Sequence, residues 1–522
     1  MAQDISGTSL LSNAQATSAR VCFRGRFDWG DAGFGSLASW SDESAYIRSA
    51  SGEMRAARKG LSALGAVSAV ARVALFNPEE TAPNSGLRFS PSNANGSLYS
   101  QIGQGKIHMK RAILEAGFYA GATPEYARQI TGYIVDVIEQ SENQAISFEI
   151  RDRAAVAALS RASTGLYEGV DARTYLTALA ALLDRDPPGS GERDFDLGIA
   201  LEPFAWLDDE EIWREMNQIA EAHGGRIWWD RAGVLRFEDL SHWVRPHADS
   251  WQDPTTSQFT FTVSDFESCN PRYNPDDVIN HVIVEAVPRY ISILQVIYSA
   301  SETYIVPPGG SIEVEAVHRW PVRNVAAPVA GTDYVAVTAG GETITSDLSV
   351  SVSSLAGRST ITLSNANADY AAHLYTLQLR GFPLLSSEPI TVEVEDSASI
   401  TQYGRRTKRI RNPYIQERRH AEALADFMLA RFRNPPLTIS LAGVPGVPWL
   451  EPGDRVTVQE ADLGISDDFF ITAIKWEFAD GGLEQSLDLV RCADLYPYSD
   501  YFIIGTSKFG GAGTTGAGRL TW

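Results

Sequence analysis

The stretch from Tyr403 to Val458 constrains the fold more tightly than any other. Tyr403-Gly404-Arg405-Arg406 opens a basic segment, and an amphipathic run follows from Gln416 to Arg433. Asn434-Pro435-Pro436 stops that run, and Glu451-Pro452-Gly453-Asp454 leads into the strand pattern Arg455-Val456-Thr457-Val458. The prolines remove backbone donors and restrict the residue before them, so a helix must end there. Leu424, Phe427, Met428 and Phe432 give that helix one apolar face. No catalytic signature falls in the segment, and its order reads as architecture.

A chain of 522 residues is long enough for about three or four domains with separate cores. Its 44 % hydrophobic and 21 % charged residues are ordinary for globular proteins, while its aromatic residues and its Gly/Pro punctuation favour strands. The formal charge of −21 repels nucleic acid and anionic lipid at long range. Two readings of that charge stand: solubility of a large protein, or an acidic lumen through which DNA slides without sticking. Cys22, Cys269 and Cys492 form neither a disulfide framework nor a metal-ligand spacing, which fits assembly in a reducing cytoplasm. The N-terminus does not read as a secretory signal. The apolar run from Leu64 to Phe76 contains Arg72 and is far shorter than the roughly 20 residues of a membrane span.

Period-two alternation marks strands at Val21–Asp28, Val70–Phe76, Lys106–Ala112, Ile130–Val137 and Ala145–Ile150. Helical spacing follows from Arg153 to Arg185 behind Asp171, and again after Asp208, where Glu211 three residues on approximates a capping box and Gly224-Gly225 ends the helix. Asp230-Arg231-Ala232-Gly233 predicts a β-hairpin turn. The expected organisation is α+β and β-rich. It comprises a flexible arm (1–19) that orders on a partner, a first β-barrel (20–155), an α/β connector (156–300) and an inserted all-β, sandwich-like domain (301–387). A second barrel carrying the helix 416–433 (388–495) and a Gly-rich tail (496–522) complete it. Three segments in the first part, Gly105–Met109, Ile130–Ile134 and Ile146–Ile150, are echoed in order by Gly453–Val456, Ile471–Ile474 and Ser486–Val490. The echo suggests duplication of one small barrel, with chance similarity between β-domains as the alternative.

Several of these motifs resemble phage tail hub proteins, those of the baseplate or tail tip, which share a core with the N-terminal region of tail-associated proteins. The resemblance rests on Leu87-Arg88-Phe89-Ser90-Pro91 followed by Ser97-Leu98-Tyr99, on Ile130-Thr131-Gly132-Tyr133-Ile134, on the hairpin Asp230–Phe237, and most specifically on Tyr403–Val458. Each motif alone is weak, and together they span about Val21 to Arg491. The resemblance implies a structural virion protein: a homotrimer with two tail-tube-like barrels per subunit, matching the sixfold tail tube. It implies contacts with the tail tube protein, the distal tail protein and tip or fibre proteins. It also implies a path for DNA ejection without sequence-specific binding, a place in the virion tail after assembly in the host cytoplasm, and no enzyme activity or cofactor. The insertion at 301–387 departs from the family pattern, and with no peptidoglycan-cleaving pattern read after Arg491 the lysin role of longer relatives is not expected.

No metal helix, nucleophile elbow or phosphate-binding loop is present in the sequence, so no catalytic, cofactor-binding or metal residue is assigned. His242 and His247, the closest histidine pair, read as a surface loop. Acidic pairs such as Asp208-Asp209 and Asp467-Asp468 suit helix capping and a hairpin turn, with a glycan hydrolase as an alternative function. Tyr403, Arg405, Arg406, Lys408, Arg409 and Arg411 form the strongest basic run. It serves as a solvated face, a contact for an acidic partner surface, or a DNA contact. As a subunit contact it would set register, and reversing Arg405 and Arg406 to Glu would impair ring assembly. Trp228 and Trp229 are the other interface candidates, one facing the core and its neighbour facing a domain or subunit. A carbohydrate-binding adhesin, with recognition by residues 301–387, remains the non-catalytic alternative.

Overall fold

The computed structural model describes residues 3–16, 19–56, 67–80, 86–100, 106–140, 144–244, 246–247 and 250–495. Gly105 and the Gly-rich segment from 496 onward lie outside the described residues.

Twelve strands carry the architecture. Six belong to a first unit: β1 (Val21–Asp28), β2 (Ile47–Ala56), β3 (Val67–Phe76), β4 (Arg111–Ala120), β5 (Thr123–Gln140) and β6 (Ala145–Asp152). Six belong to a second: β7 (Thr260–Thr262), β8 (Ser268–Tyr273), β9 (Leu437–Pro445), β10 (Arg455–Glu460), β11 (Ile465–Ala479) and β12 (Gly482–Arg491). The first pairs in the order β2-β3-β6-β5-β4-β1 and the second in the order β8-β9-β12-β11-β10-β7. Counted from the start of each unit, the two orders are the same. One pair differs, β7 with β10 being parallel while β1 with β4 is antiparallel. The three sequence echoes fall at equivalent places, before β4 and at the start of β10, within β5 and β11, and within β6 and β12.

In β3 the alternation that predicted the strand is the alternation of its burial, whereas residues 129–134 of β5 are buried on both faces. In β3, Val67, Ala69, Ala71, Val73 and Leu75 are buried, while Ser68, Val70 and Arg72 face solvent. Such a strand binds a core on one side and leaves the other wet. A second core lies around Phe261, Leu441, Trp449, Phe469 and Leu487 and takes in Leu10 of the arm, Phe118 of β4 and Ala127 of β5. The core of the first unit runs on into the connector, from Phe27, Val73 and Phe148 through Tyr175, Met216 and Trp228 to Phe427.

Chain connections depart from the expected boundaries. Thr260–Thr262 and Ser268–Tyr273, expected in the connector, pair within the second unit. Everything between β8 and β9 is therefore an excursion from that unit. It begins with a three-stranded sheet of His281–Ala286, Ile390–Glu395 and Thr407–Arg411. The predicted helix lies at Arg418–Phe432 and packs on this sheet, where the second barrel was its expected seat. The all-β insertion hangs from the sheet and begins with the strand Arg289–Ile291. Its sheets enclose Val314, Ala336, Ile361 and Leu379.

Other expectations changed locally. The arm packs within the chain: Leu10, in the helix Leu10–Ala14, is 1 % exposed, Gln3 N–H donates to Trp449 O at 3.0 Å, and Ser9 binds the Glu125 carboxylate at 2.7 Å. Lys106–Lys110 is a turn, since Met109 adopts φ +65°, and the strand starts at Arg111. Residues 153–185 hold the helices Ala154–Ala157 and Ala172–Ala180, the second capped by Asp171 accepting from Thr174 N–H at 2.8 Å. The helix Ile212–Ala222 is preceded by Glu211, and Asp208 instead pairs with Arg358 of the insertion at 2.8 Å. The two-residue strand Glu210–Glu211 separates Asp208 from the helix.

Candidate functional site

The hairpin strands Arg226–Trp229 and Leu235–Glu238 bring the turn Asp230–Gly233 to the place where both units meet. Gly233 closes the turn at φ +84°, and its N–H donates to Asp230 O at 2.9 Å. The turn is gripped from both sides. From the first unit, Thr131 Oγ1 donates to Arg231 O at 2.7 Å, Arg128 donates to Ala232 O, and Arg153 donates to Gly233 O at 2.8 Å. From the second, Arg231 N–H donates to Glu451 Oε1 at 3.2 Å, and the Arg231 guanidinium donates to Pro448 O at 3.1 Å. The same guanidinium nitrogen reaches Gln129 Oε1 of β5, also at 3.1 Å. One buried arginine therefore ties the two units together.

Burial sets the electrostatics of this node. Arg231 is brought down to about 10. Glu451 is pushed up to about 8 by burial and then by the nearby Asp230. Burial also raises Asp454, which accepts Glu451 N–H at 2.7 Å. Glu238 goes the other way, to about 2: burial opposes ionisation, and the Arg226 guanidinium at 2.6 Å outweighs it. Such a network holds only while every partner is present.

Beside the node the two units share one continuous sheet. Ala50–Arg55 of β2 pairs with Ala473–Phe478 of β11, beyond the part of β11 that pairs with β10. Gly52 lies against the Trp476 indole, where a Cβ would sit 2.6 Å from ring carbons. The equivalent edges of the opposite units lack strand partners among the described residues. β8 pairs only with β9, and residues 135–140 of β5 lie beyond β4, with β6 on their other side. Ile138 is 50 % exposed there and Tyr273 on β8 is 61 % exposed. The wet face of the joined sheet forms a groove of about 1170 Å³ lined by Ser51, Ser68, Val70, Arg72, Glu149, Arg151, Lys475 and Glu484, among others. Its charges are mixed in sign and cross-linked, with Arg72 and Arg151 both on Glu149 at 2.9 Å and Arg55 between Glu53 and Asp488.

The basic run occupies an exposed edge. Its strand Thr407–Arg411 pairs with His281–Glu285 in parallel, burying Ile410 and leaving Arg409 and Arg411 outward. Each arginine has a partner in the same chain: Arg405 with Glu395 at 2.7 Å, Arg406 with Asp276 at 3.4 Å, Arg409 and Arg411 with Glu285 at 3.0 and 2.5 Å. Lys408 lies on the Ile410 face, within electrostatic reach of Glu221. Tyr403 ends a helix begun at Ser397. Trp228 and Trp229 are 0 % and 2 % exposed, so neither offers surface to another subunit. Their strand lies between the helix Ile212–Ala222 and β3, which buries both faces, and Arg226 and Arg153 cover the two rings at 4.6 and 4.2 Å.

His242, expected on a surface loop, is largely buried and sits 3.1 Å from Asp196. Asp468 pairs with Arg455 at 2.5 Å and Asp467 lies 3.7 Å from Arg491, so these carboxylates and Asp208 are engaged with arginines. Among the described residues no three His, Cys, Asp or Glu side chains are grouped to hold a metal, and no helix is long and apolar enough to cross a membrane. The functional residues that local pattern missed are Arg231, Gln129 and Glu451, for which the dense Glu451-Pro-Gly-Asp turn is the one sequence signal.

No protein-family model matches the chain, and no curated protein matches it. Solved structures similar to it include tail proteins and a component of a type VI secretion system. A tail protein from Neisseria meningitidis MC58 is 12 % identical, with TM-score 0.48, covering 92 % of this chain and 98 % of that one. The 43 kDa tail protein of prophage MuSo2 from Shewanella oneidensis is 10 % identical, with TM-score 0.45, covering 90 % and 98 %. A type VI secretion component of E. coli, described as similar to T4 phage tail proteins, is 10 % identical, with TM-score 0.35, covering 86 % and 75 %.

Proposed function

We propose that the chain is a structural hub of a phage-type tail, three copies of which close into a ring of six strand units at the end of the tail tube. The observation that carries this reading is the repeated unit with one filled and one open junction. Within the chain, the second strand of the first unit pairs with the fifth strand of the second. The second strand of the second unit and the far end of the fifth strand of the first stand open, so head-to-tail addition of copies repeats the internal contact until a ring closes. Each unit acts as one tube-like barrel, and six of them match a sixfold tube. A lasting ring of this kind buries roughly 2,000 Å² or more per contact.

In the ring, the wet face of the joined sheet lines the axial opening. Its alternating, cross-linked charges give DNA no continuous basic track, consistent with passage without gripping. The hub joins the tail tube and distal tail protein on one side to tip or fibre proteins on the other, and the arginine edge at 405–411 is a contact for one of these. The role is assembly without bond-making chemistry.

Electron microscopy of the full-length protein, classified without imposed symmetry, tests the proposal. Threefold rings with six similar lobes are expected, and Ile138→Asp should disperse them into folded single chains. Twofold particles, or single chains at every concentration for the unmodified protein, would refute the ring.

A further inference from the structure

A cleft of about 510 Å³ opens where the insertion leaves the body, lined by Trp206, Arg289, Tyr290, Trp320, Pro321 and residues 384–386. It is built by pairing of Arg289–Ile291 with Leu384–Ser386, and Leu384 N–H donates to Pro321 O at 2.7 Å, which brings the Trp320 loop alongside. The Arg289 guanidinium lies 4.5 Å over the Trp206 ring. Among the described residues it has no hydrogen bond or ion pair; Glu202 and Glu215 act on it only at longer range.

The arrangement recurs beside the cleft, where the Arg319 guanidinium lies 4.4 Å over the Trp320 ring. Two arginines of the insertion are paired with acids of the body, Arg358 with Asp208 and Arg323 with Glu168, and the Arg289 fork is left for another anion. The cleft has no carboxylate in its lining. Its lining carries one permanent cation, the Arg289 guanidinium, and no anion, which favours a ligand that brings negative charge. Three aromatic side chains supply faces for the apolar faces of a flat ring. The volume falls within the roughly 300–1,000 Å³ of small-molecule sites.

We propose that this cleft binds an anionic sugar, a pyranose stacked on Trp206, Trp320 or Tyr290 with its acidic substituent on the Arg289 fork. A guanidinium takes carboxylate or phosphate through two parallel hydrogen bonds. The site does not depend on ring formation, since all its residues come from one chain.

The test uses the full-length protein and tryptophan fluorescence, titrated with 3′-sialyllactose, trigalacturonate, glucose 6-phosphate and lactose. Saturable binding of at least one anionic sugar is expected, with lactose at least about tenfold weaker. The carboxylated and phosphorylated probes distinguish which anion the site prefers. Arg289→Gln should weaken the anionic sugars about tenfold, and Ser386→Trp, at an exposed rim position, should block them while leaving the unfolding midpoint unchanged. Equal binding of lactose, binding unaltered in both variants, absence of binding to every sugar, or displacement of the sugar by hexaglutamate would each overturn the proposal.

Discussion

The two six-stranded units share a strand order and differ in almost everything attached to it. The first shares its core with the connector, whereas the second packs its core against the arm and the first unit, through Leu10, Phe118 and Ala127, and sends Phe470, Trp476 and Val490 into the shared core. β2 leads to β3 through residues 57–66, while β8 reaches β9 only after residues 274–436. The second strand of the first unit is docked on a neighbour, and its counterpart β8 ends the sheet. The pairing plan therefore tolerates a large excursion between adjacent strands. What distinguishes the units is which edges are filled.

The filled junction is the place to break the comparison with most effect. Trp476 is 3 % exposed and covers Gly52 and Phe23, so Trp476→Ala should cost about 3–5 kcal/mol in chemical denaturation. A loss under about 1 kcal/mol would mean that the units hold together by the node alone.

The node comes next. Burial pushes Glu451 up to about 8 and, at the end of β6, Asp152 up to about 6, against ordinary carboxylate values near 4. Raised acids stabilise the fold fully below their unfolded values, and that contribution is lost as pH rises through the folded ones. The melting temperature should fall between pH 5 and pH 8, with Glu451→Gln removing the upper part of the fall, an effect on the order of 2 kcal/mol. An unchanged profile in the variant would place the titration elsewhere.

Gly233→Ala should cost about 1–2 kcal/mol, because the turn needs a positive φ and an added Cβ meets Thr131 at 2.9 Å. Thermal denaturation measures it. The smallest effect should come at the open edge, where Ile138→Asp changes single-chain stability by no more than about 0.5 kcal/mol. A substantial loss there would show that the edge is covered within one chain, and the contrast between filled and open edges would fail.

Much of this architecture was legible where a residue's fate depends on its neighbours in sequence. Alternation located β1, β3, β5 and β6, apolar spacing located the helix Arg418–Phe432, and the hairpin at Asp230–Gly233 followed from turn chemistry. Partners distant in sequence were not legible. Nothing near Ser268 announces that Cys269 pairs with Leu441, so β8 was assigned to the connector. Arg231 looked like a turn residue because its partners, Gln129 and Pro448, come from opposite ends of the chain. The basic run was visible as charge, but Glu285, which takes two of its arginines, was hidden in an apolar strand.

The insertion leaves from Ala286 and returns at Ile390, two residues paired with each other at the end of an antiparallel ladder. A pull on the insertion would bear on that ladder at one end and open its hydrogen bonds in succession, the geometry of a zipper. The side contacts that brace it against the body include the Arg289–Trp206 stack and one backbone bond, Ala356 N–H to Thr164 O at 2.9 Å, and two partly solvent-exposed ion pairs of the weak kind, Arg323 with Glu168 and Arg358 with Asp208. Under load the insertion should detach long before the joined sheet yields, so the chain carries a mechanical fuse between whatever the insertion holds and the strands that hold the chain together.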